Sequence, residues 1–253
     1  MKNKILKNKL NNNELTIGSW ITIGHPSIPE ILSNAGFDWL TIDMEHNSID
    51  NSMMQNLISV IQSKDIAALV RVSENEEVAI KHALDAGADG IIVPMVKNKD
   101  DALKAIEYVK YPPLGKRGVG LSRAQNYGYG FENYKKWLNE SAVIIAQIEH
   151  IDGVNNIEDI ISIPGIDGII VGPYDLSGSL GFPGEFDRDD VQQALQRLEK
   201  ICLERNFPMG YHVVLPSSEL FKSIIQKGYK FVALSTDFYF LGESARNLMK
   251  NRM

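Results

Sequence analysis

KHALDAGADGIIVPMV, residues 81–96, holds in one stretch the unit from which the chain is built. Apolar residues first recur at helical spacing, Gly87 then offers the left-handed residue that closes a helix, and GIIV follows as an unbroken apolar run. A strand that is apolar at every position has no wet face, as in a parallel sheet covered by helices. IDGIIVG at 166–172 repeats the pattern. Working outward, strands are predicted at 17–23, 39–44, 67–72, 90–96, 143–149, 168–172, 208–213 and 231–235. Helical patterns fall at 29–35, 52–61, 76–86, 100–109, 157–163, 190–205, 217–227 and from 241 onward.

Eight such strands alternating with helices predict an α/β protein built as a single closed (β/α)8 TIM barrel. An open doubly wound sheet is the competitor, but the glycine fingerprint of a dinucleotide site is missing. A length of 253 residues suits one barrel, so 1–253 is read as one domain, with 1–13 a frayed lead. That lead is rich in Lys and Asn and lacks the apolar run of a signal peptide. Two connections, 111–139 and 174–189, are long and Gly-rich, which marks them as functional or interfacial loops.

Composition is that of a globular protein, 44% hydrophobic and 23% charged. A net charge of −6 argues against nucleic acid as a partner, which requires a basic face. No apolar stretch is long enough to span a membrane. Cys202 is the single cysteine, so intrachain disulfides are excluded and a reducing, cytoplasmic setting is expected. Its place in a helical pattern reads as packing.

Catalytic side chains of such barrels sit where strands end. The predicted strands end in Asp43-Met44-Glu45-His46, in Arg71, in Gln147-Ile148-Glu149-His150, and in Gly172-Pro173-Tyr174-Asp175. Glu149 and Asp175 end adjacent strands, and two carboxylates beside Gln147 favour a hard divalent ion such as Mg²⁺ or Mn²⁺. Each acid alone would more simply be a loop-capping carboxylate. Arg71 suits a substrate carboxylate or a developing enolate oxygen, or else is a rim arginine. His46 is the candidate acid–base residue, although His25, His82, His150 and His212 show how common a lone histidine is. Asp85 is an acid near a helix C-terminus, an unfavourable place for negative charge. From Tyr174 onward, successive backbone N–H groups could receive a carboxylate.

GSW (18–20), DWLTIDMEH (38–46), LVRV (69–72), KHALDAGADGIIVPMV (81–96), YPPLGKRGVG (111–120), SRAQNYG (122–128), QIEH (147–150) and VGPYDLSGSLG (171–181) follow in order along nearly the whole chain. Together they resemble the HpcH/HpaI family of class II 2-oxo-acid aldolases. The resemblance implies a carbon–carbon lyase that needs a divalent ion (Mg²⁺, Mn²⁺ or Co²⁺). Its reaction would cleave or form the C3–C4 bond of a 4-hydroxy-2-oxo acid, giving pyruvate and an aldehyde through a stabilised pyruvate enolate. Glu149 and Asp175 would be the metal ligands, with Gln147 supporting the ion and its waters. Arg71 would hold the 2-oxo oxygen, and His46, paired with Asp85, would act as the base. Asp43 would act from behind the ligands or across a subunit boundary. Trp20, Arg71, Gln147, Tyr174, Asp175 and His212 are then the substrate-binding set. A homo-oligomer follows too, a hexamer with C-terminal helices exchanged between subunits.

This chain departs from the pattern at GYHVVLPSS, where family members carry a small aliphatic loop, so His212 is expected to face the aldehyde end. It also departs after Arg71, where Val72-Ser73-Glu74 stands in place of a frequent proline. Three rivals remain open. A malyl- or citryl-CoA lyase on the same scaffold would need a basic pocket. A Schiff-base aldolase would need a buried lysine, for which Lys97 and Lys230 are the flanking candidates. A barrel retained only to bind a 2-oxo acid would have no need of intact acids, base and arginine.

Overall fold

The structure, a computed structural model, describes residues 5–250. Eight parallel strands close on themselves in chain order: β1 (Thr16–Ile21), β2 (Trp39–Asp43), β3 (Ala67–Arg71), β4 (Gly90–Val93), β5 (Val143–Ile148), β6 (Gly168–Val171), β7 (Met209–Val213) and β8 (Phe231–Thr236). Each falls within or one residue outside its predicted range, and the eighth pairs back onto the first. The expected (β/α)8 barrel is therefore the fold.

Alternation along the strands sorts the core into two parts. Leu40, Ile42, Ala68, Val70, Ile91, Val93, Ile144 and Ala146 pack outward beneath the helices. Trp39, Ala67, Leu69, Ile92, Val143, Ile145, Ile170 and Phe231 form a separate inner cluster that fills the barrel. Trp39 stacks on Phe231 with ring centroids 4.1 Å apart. The stack needs Gly18, because a Cβ there would come within 2.0 Å of the Trp39 ring. Continuing the inward parity toward the C-terminal ends carries Trp20, Asp43, Arg71, Gln147 and His212 to the top of the barrel.

The expected frayed lead is not what residues 5–13 form. Ile5–Asn11 is a helix whose Leu6 and Leu10 are buried within the inner cluster, closing the N-terminal mouth. Lys7 pairs with Asp167, and Lys9 Nζ lies 2.6 Å from Asp38 Oδ1. The lysines that read as a soluble lead are thus the anchors of a plug. The long connections also contain helices, Phe131–Glu140 and Pro173–Ser179. The terminal helix, expected from 241, begins at Asp237. The Asp237 carboxylate accepts from the Thr22, Ile23 and Phe238 N–H groups, each at 2.8 Å, and so ties the end of β1 to the start of that helix. Cys202 is buried, and burial pushes its thiol up to about 12, in keeping with a packing role. Among the described residues no helix is long and apolar enough to cross a membrane.

Candidate active site

β2 and β3 fix the first part of the site. Asp43 and Arg71 are register partners, and Arg71 Nε donates to Asp43 Oδ1 at 2.8 Å. Arg71 Nη1 lies 3.1 Å from Glu45 Oε2, and the guanidinium carbon sits 4.5 Å from the Trp20 ring centroid. The guanidinium is thereby held on three sides. Burial opposes a charged Asp43, yet the hydrogen bond and charge of Arg71 outweigh it and keep the carboxyl below its ordinary range.

β5 and β6 supply the second part. Glu149 Oε1 accepts from the Met95 N–H at 2.7 Å, and Gln147 Nε2 donates to Glu149 Oε2. Asp175 stands in the first turn of Pro173–Ser179, where proline fits the opening position of a helix. The segment expected to be an open anion-binding loop is therefore a short helix. Gly172 precedes it and lets the two elements close up, since a Cβ there would come within 2.8 Å of Glu149 Oε2 and 3.2 Å of Gln147 Nε2. Burial raises Glu149 to about 7, and the negative charges of Glu45 and Asp175 add to the rise against the pull of the Met95 N–H. Burial likewise raises Glu45 to about 6, with Arg71 opposing and Asp43 and Asp175 adding. Glu45, Glu149 and Asp175 thus form one mutually repelling set of carboxylates beside a single arginine.

Two cavities meet here. A space of about 140 Å³ is lined by Trp20, Arg71, Gln147, Gly172, Tyr174, Asp175 and His212. A larger one, about 460 Å³, shares Trp20, Arg71 and His212 and extends past Asp43, His46 and Asn47. The structure therefore brings together Trp20, Asp43, His46, Arg71, Gln147, Glu149, Tyr174, Asp175 and His212. Tyr174 is half exposed, its ring set edge-on to Phe186 at 4.8 Å. Trp20 and His212 rings lie 5.3 Å apart.

Asp85 is the exception. It closes the helix Glu77–Ala86, whose C-terminal end meets the start of β4 at the N-terminal mouth, and it pairs with Arg117, which is buried between Tyr111 and Tyr134. Within one chain Asp85 does not pair with His46, because the length of the barrel separates them. The carboxylate beside His46 is Glu45, with Oε2 3.6 Å from Nε2. Glu45 was missed by sequence reasoning as a site residue. Its signal was a second acid two positions past Asp43, close enough for both to reach one arginine.

The residues suit a divalent ion in part. Among the described residues no group of three or more His, Cys, Asp or Glu could hold a metal. Two carboxylates from the protein are on offer, and any remaining positions would fall to water and substrate. Gln147 Oε1 is buried with no hydrogen-bond partner among the described residues. A cation with its waters would relieve both that orphan acceptor and the mutual repulsion of the acids.

The arrangement is that of a barrel aldolase, a carbon–carbon lyase with acids, an arginine and a histidine gathered at the C-terminal mouth. Residues 16–242 match the family described as HpcH/HpaI aldolase/citrate lyase, and the chain belongs to that family. It is 35% identical to 2-dehydro-3,6-dideoxy-6-sulfogluconate aldolase of Pseudomonas putida, over 92% of this chain and 91% of that protein. It is 32% identical to hydroxypyruvate/pyruvate aldolase of Roseobacter denitrificans, over 96% and 94%. Among solved structures, an HpcH/HpaI aldolase/citrate lyase family protein from Burkholderia cenocepacia superposes with a TM-score of 0.91 at 31% identity, covering 97% of this chain and 98% of that one.

Proposed function

We propose that this aldolase cleaves or forms the C3–C4 bond of a 4-hydroxy-2-oxo acid, with pyruvate as the nucleophilic half, and that Glu149 and Asp175 hold a divalent cation (Mg²⁺, Mn²⁺ or Co²⁺). The observation that carries this is the mutually repelling set of buried Glu149, half-buried Glu45 and exposed Asp175 beside Arg71, with Arg71 and Asp175 lining the smaller cavity. A cation bound there supplies Lewis-acid polarisation of the keto oxygen.

The chain's own residues do the rest. Arg71, locked by Asp43 and Glu45, presents fixed positive charge to the oxygen that becomes the enolate, so no reorganisation is needed as charge develops. Gln147 fixes Glu149 and offers its free carbonyl to a bound water. His46, on the rim, accepts the proton of the 4-hydroxyl in cleavage. The C3–C4 bonding electrons then pass into the enolate, the aldehyde leaves, and C3 is reprotonated to give pyruvate. Trp20, Tyr174 and His212 wall the substrate.

Mixing pyruvate, a divalent ion and an aldehyde panel should yield the condensed acid by mass spectrometry, with product lost in Glu149→Ala and Asp175→Ala. Covalent trapping of pyruvate by borohydride would instead establish a Schiff base. Geometry does not favour that route, since Lys230 stands at the opposite mouth beside Thr16 and neither it nor Lys97 lines the two cavities. A CoA lyase is likewise disfavoured, because among the described residues Arg71 is the only Arg or Lys lining them.

A homo-oligomer, hexameric by the resemblance, goes with this reading. The exposed Phe238, Leu241, Leu248 and Met249 on the terminal helix support it. Asp85 could then meet a His46 only across a subunit boundary. A cytoplasmic setting suits the single reduced cysteine.

A further inference from the structure

The larger cavity is built differently from the acidic one. Gly18 pairs with Ala233 but Trp20 pairs with Thr236, so β8 carries one residue more than β1, and Ser235 takes a left-handed φ of 54°. Such a bulge re-aims the side chains next to it. It places the Ser235 carbonyl 3.2 Å from His212 Nε2, and the Ser235 hydroxyl donates to the Val214 carbonyl at 3.0 Å. A carbonyl only accepts, so His212 donates from Nε2 and its neutral ring keeps Nδ1 as an acceptor. Burial lowers His212 to about 4, against the pull of that hydrogen bond, and the Arg71 charge lowers it further. The ring is therefore neutral at pH 7.

Around this imidazole, polar atoms stand unused. Trp20 Nε1, Asn47 Nδ2 and Thr236 Oγ1 are buried and without a hydrogen-bond partner among the described residues. Trp20 and Thr236 are only 3% and 5% exposed. Thr22 gives its hydroxyl proton to Asp237 at 2.6 Å and keeps its lone pairs. The residues lining the cavity so carry unpaired buried donors (Trp20 indole, Asn47 amide, Thr236 hydroxyl) and acceptors (His212 Nδ1, Thr22 oxygen).

We propose that the larger cavity receives the aldehyde half and selects a neutral, hydroxylated aldehyde, a choice that rests on the aldolase reading above. A hydroxyl donates and accepts at once, which this mixed lining requires. A carboxylate or sulfonate only accepts; it would lie against Asp43, while the Arg71 guanidinium in the wall, held by Asp43 and Glu45, is the group that faces the pyruvate oxygen in the reading above. His46 is at the exposed rim beside Glu45. An alkyl tail would leave the buried donors unpaired in the complex. The Pseudomonas putida relative, by its name, handles a sulfonated sugar acid. The inference therefore separates this chain from it.

The test compares aldehydes at saturating pyruvate and Mn²⁺ on the full chain: glyceraldehyde, propanal and succinic semialdehyde. Glyceraldehyde should exceed each of the others in kcat/KM by at least about tenfold, the discrimination of a site whose polar groups are otherwise left unpaired. In Thr236→Val and in His212→Phe, the ratio of glyceraldehyde to propanal should fall to within about threefold, each variant being its own reference. Equal use of glyceraldehyde and propanal by the wild type, a preference for the anionic aldehyde, or an unchanged ratio in both variants would overturn the assignment. Pyruvate C3 deuterium exchange without aldehyde separates the two levels. Exchange with indiscriminate aldehyde use defeats the pocket assignment alone, whereas no exchange and no condensation with any aldehyde defeats the aldolase reading with it.

Discussion

Asp43 and Arg71 face each other across the β2–β3 register, and the 2.8 Å hydrogen bond between them sets where the Arg71 guanidinium points. Register makes this pairing hard to lose, because a slip of one residue would turn the shifted strand's side chain into the helix layer. Asp43 therefore acts through Arg71. Asp43→Ala should lower the rate of pyruvate C3 exchange by roughly 10²-fold, the scale of one misaligned transition-state donor. Asp43→Asn, which keeps an acceptor oxygen, should recover part of that loss. Exchange in Asp43→Ala equal to the wild type would show that the pairing only packs.

Gly172 is needed for closeness, since a methyl group there would press on Glu149 Oε2 at 2.8 Å and on its Cβ at 3.0 Å. Glu149 has little room to yield, pinned as it is by Met95 and Gln147. Gly172→Ala should weaken Mn²⁺ binding by roughly 10–100-fold, as disturbance of ligand support does elsewhere. Calorimetric titration checks it; unchanged affinity would mean that Glu149 is not a ligand.

A pH dependence follows from burial and mutual repulsion. Without metal, Glu149 titrates near 7 and Glu45 near 6, so at pH 6 Glu149 is mostly protonated. A cation needs the carboxylate and must displace that proton. Affinity for Mn²⁺ should then rise with pH up to about 7 and flatten above it, by up to about tenfold per pH unit for one displaced proton. In Glu45→Gln a negative neighbour is gone and the transition should move to lower pH. A flat Mn²⁺ affinity between pH 6 and 8 would contradict the assignment.

The plug at the N-terminal mouth makes a prediction about stability. Leu10 is 1% exposed and packs inside the barrel. Leu10→Ala should destabilise the fold by about 2–5 kcal/mol, measured by denaturant unfolding, while turnover per folded molecule survives. A change under about 0.5 kcal/mol, the range of surface substitutions, would show the helix to be the frayed lead its composition resembles.

Much of this was legible in the sequence, for a definite reason. Strands buried on both faces must be apolar throughout, so GIIV at Gly90–Val93 and at Gly168–Val171 announced themselves. The polar residues interrupting that pattern at strand ends were by the same logic the ones the fold gathers at the C-terminal mouth: Asp43, Arg71, Gln147, Glu149. The helix Ile5–Asn11 escaped because it buries only two leucines among lysines and asparagines, and its partners Asp38 and Asp167 lie far along the chain. Phe131–Glu140 was masked by the Gly-rich run ahead of it. Glu45 was passed over, and the partner Asp85 takes within the chain, Arg117, was not foreseen, for one shared reason. Which acid meets which base depends on the mouth of the barrel each occupies, and local spacing does not encode it.

The most direct test of the central claim is NMR detection of solvent deuterium entering C3 of pyruvate, measured on the wild-type protein before chelation, after exhaustive chelation, and after readdition of Mn²⁺. The account predicts exchange that disappears on chelation and returns with the ion, and that does not return in Glu149→Ala or Asp175→Ala. Exchange undiminished in the chelated protein would contradict it.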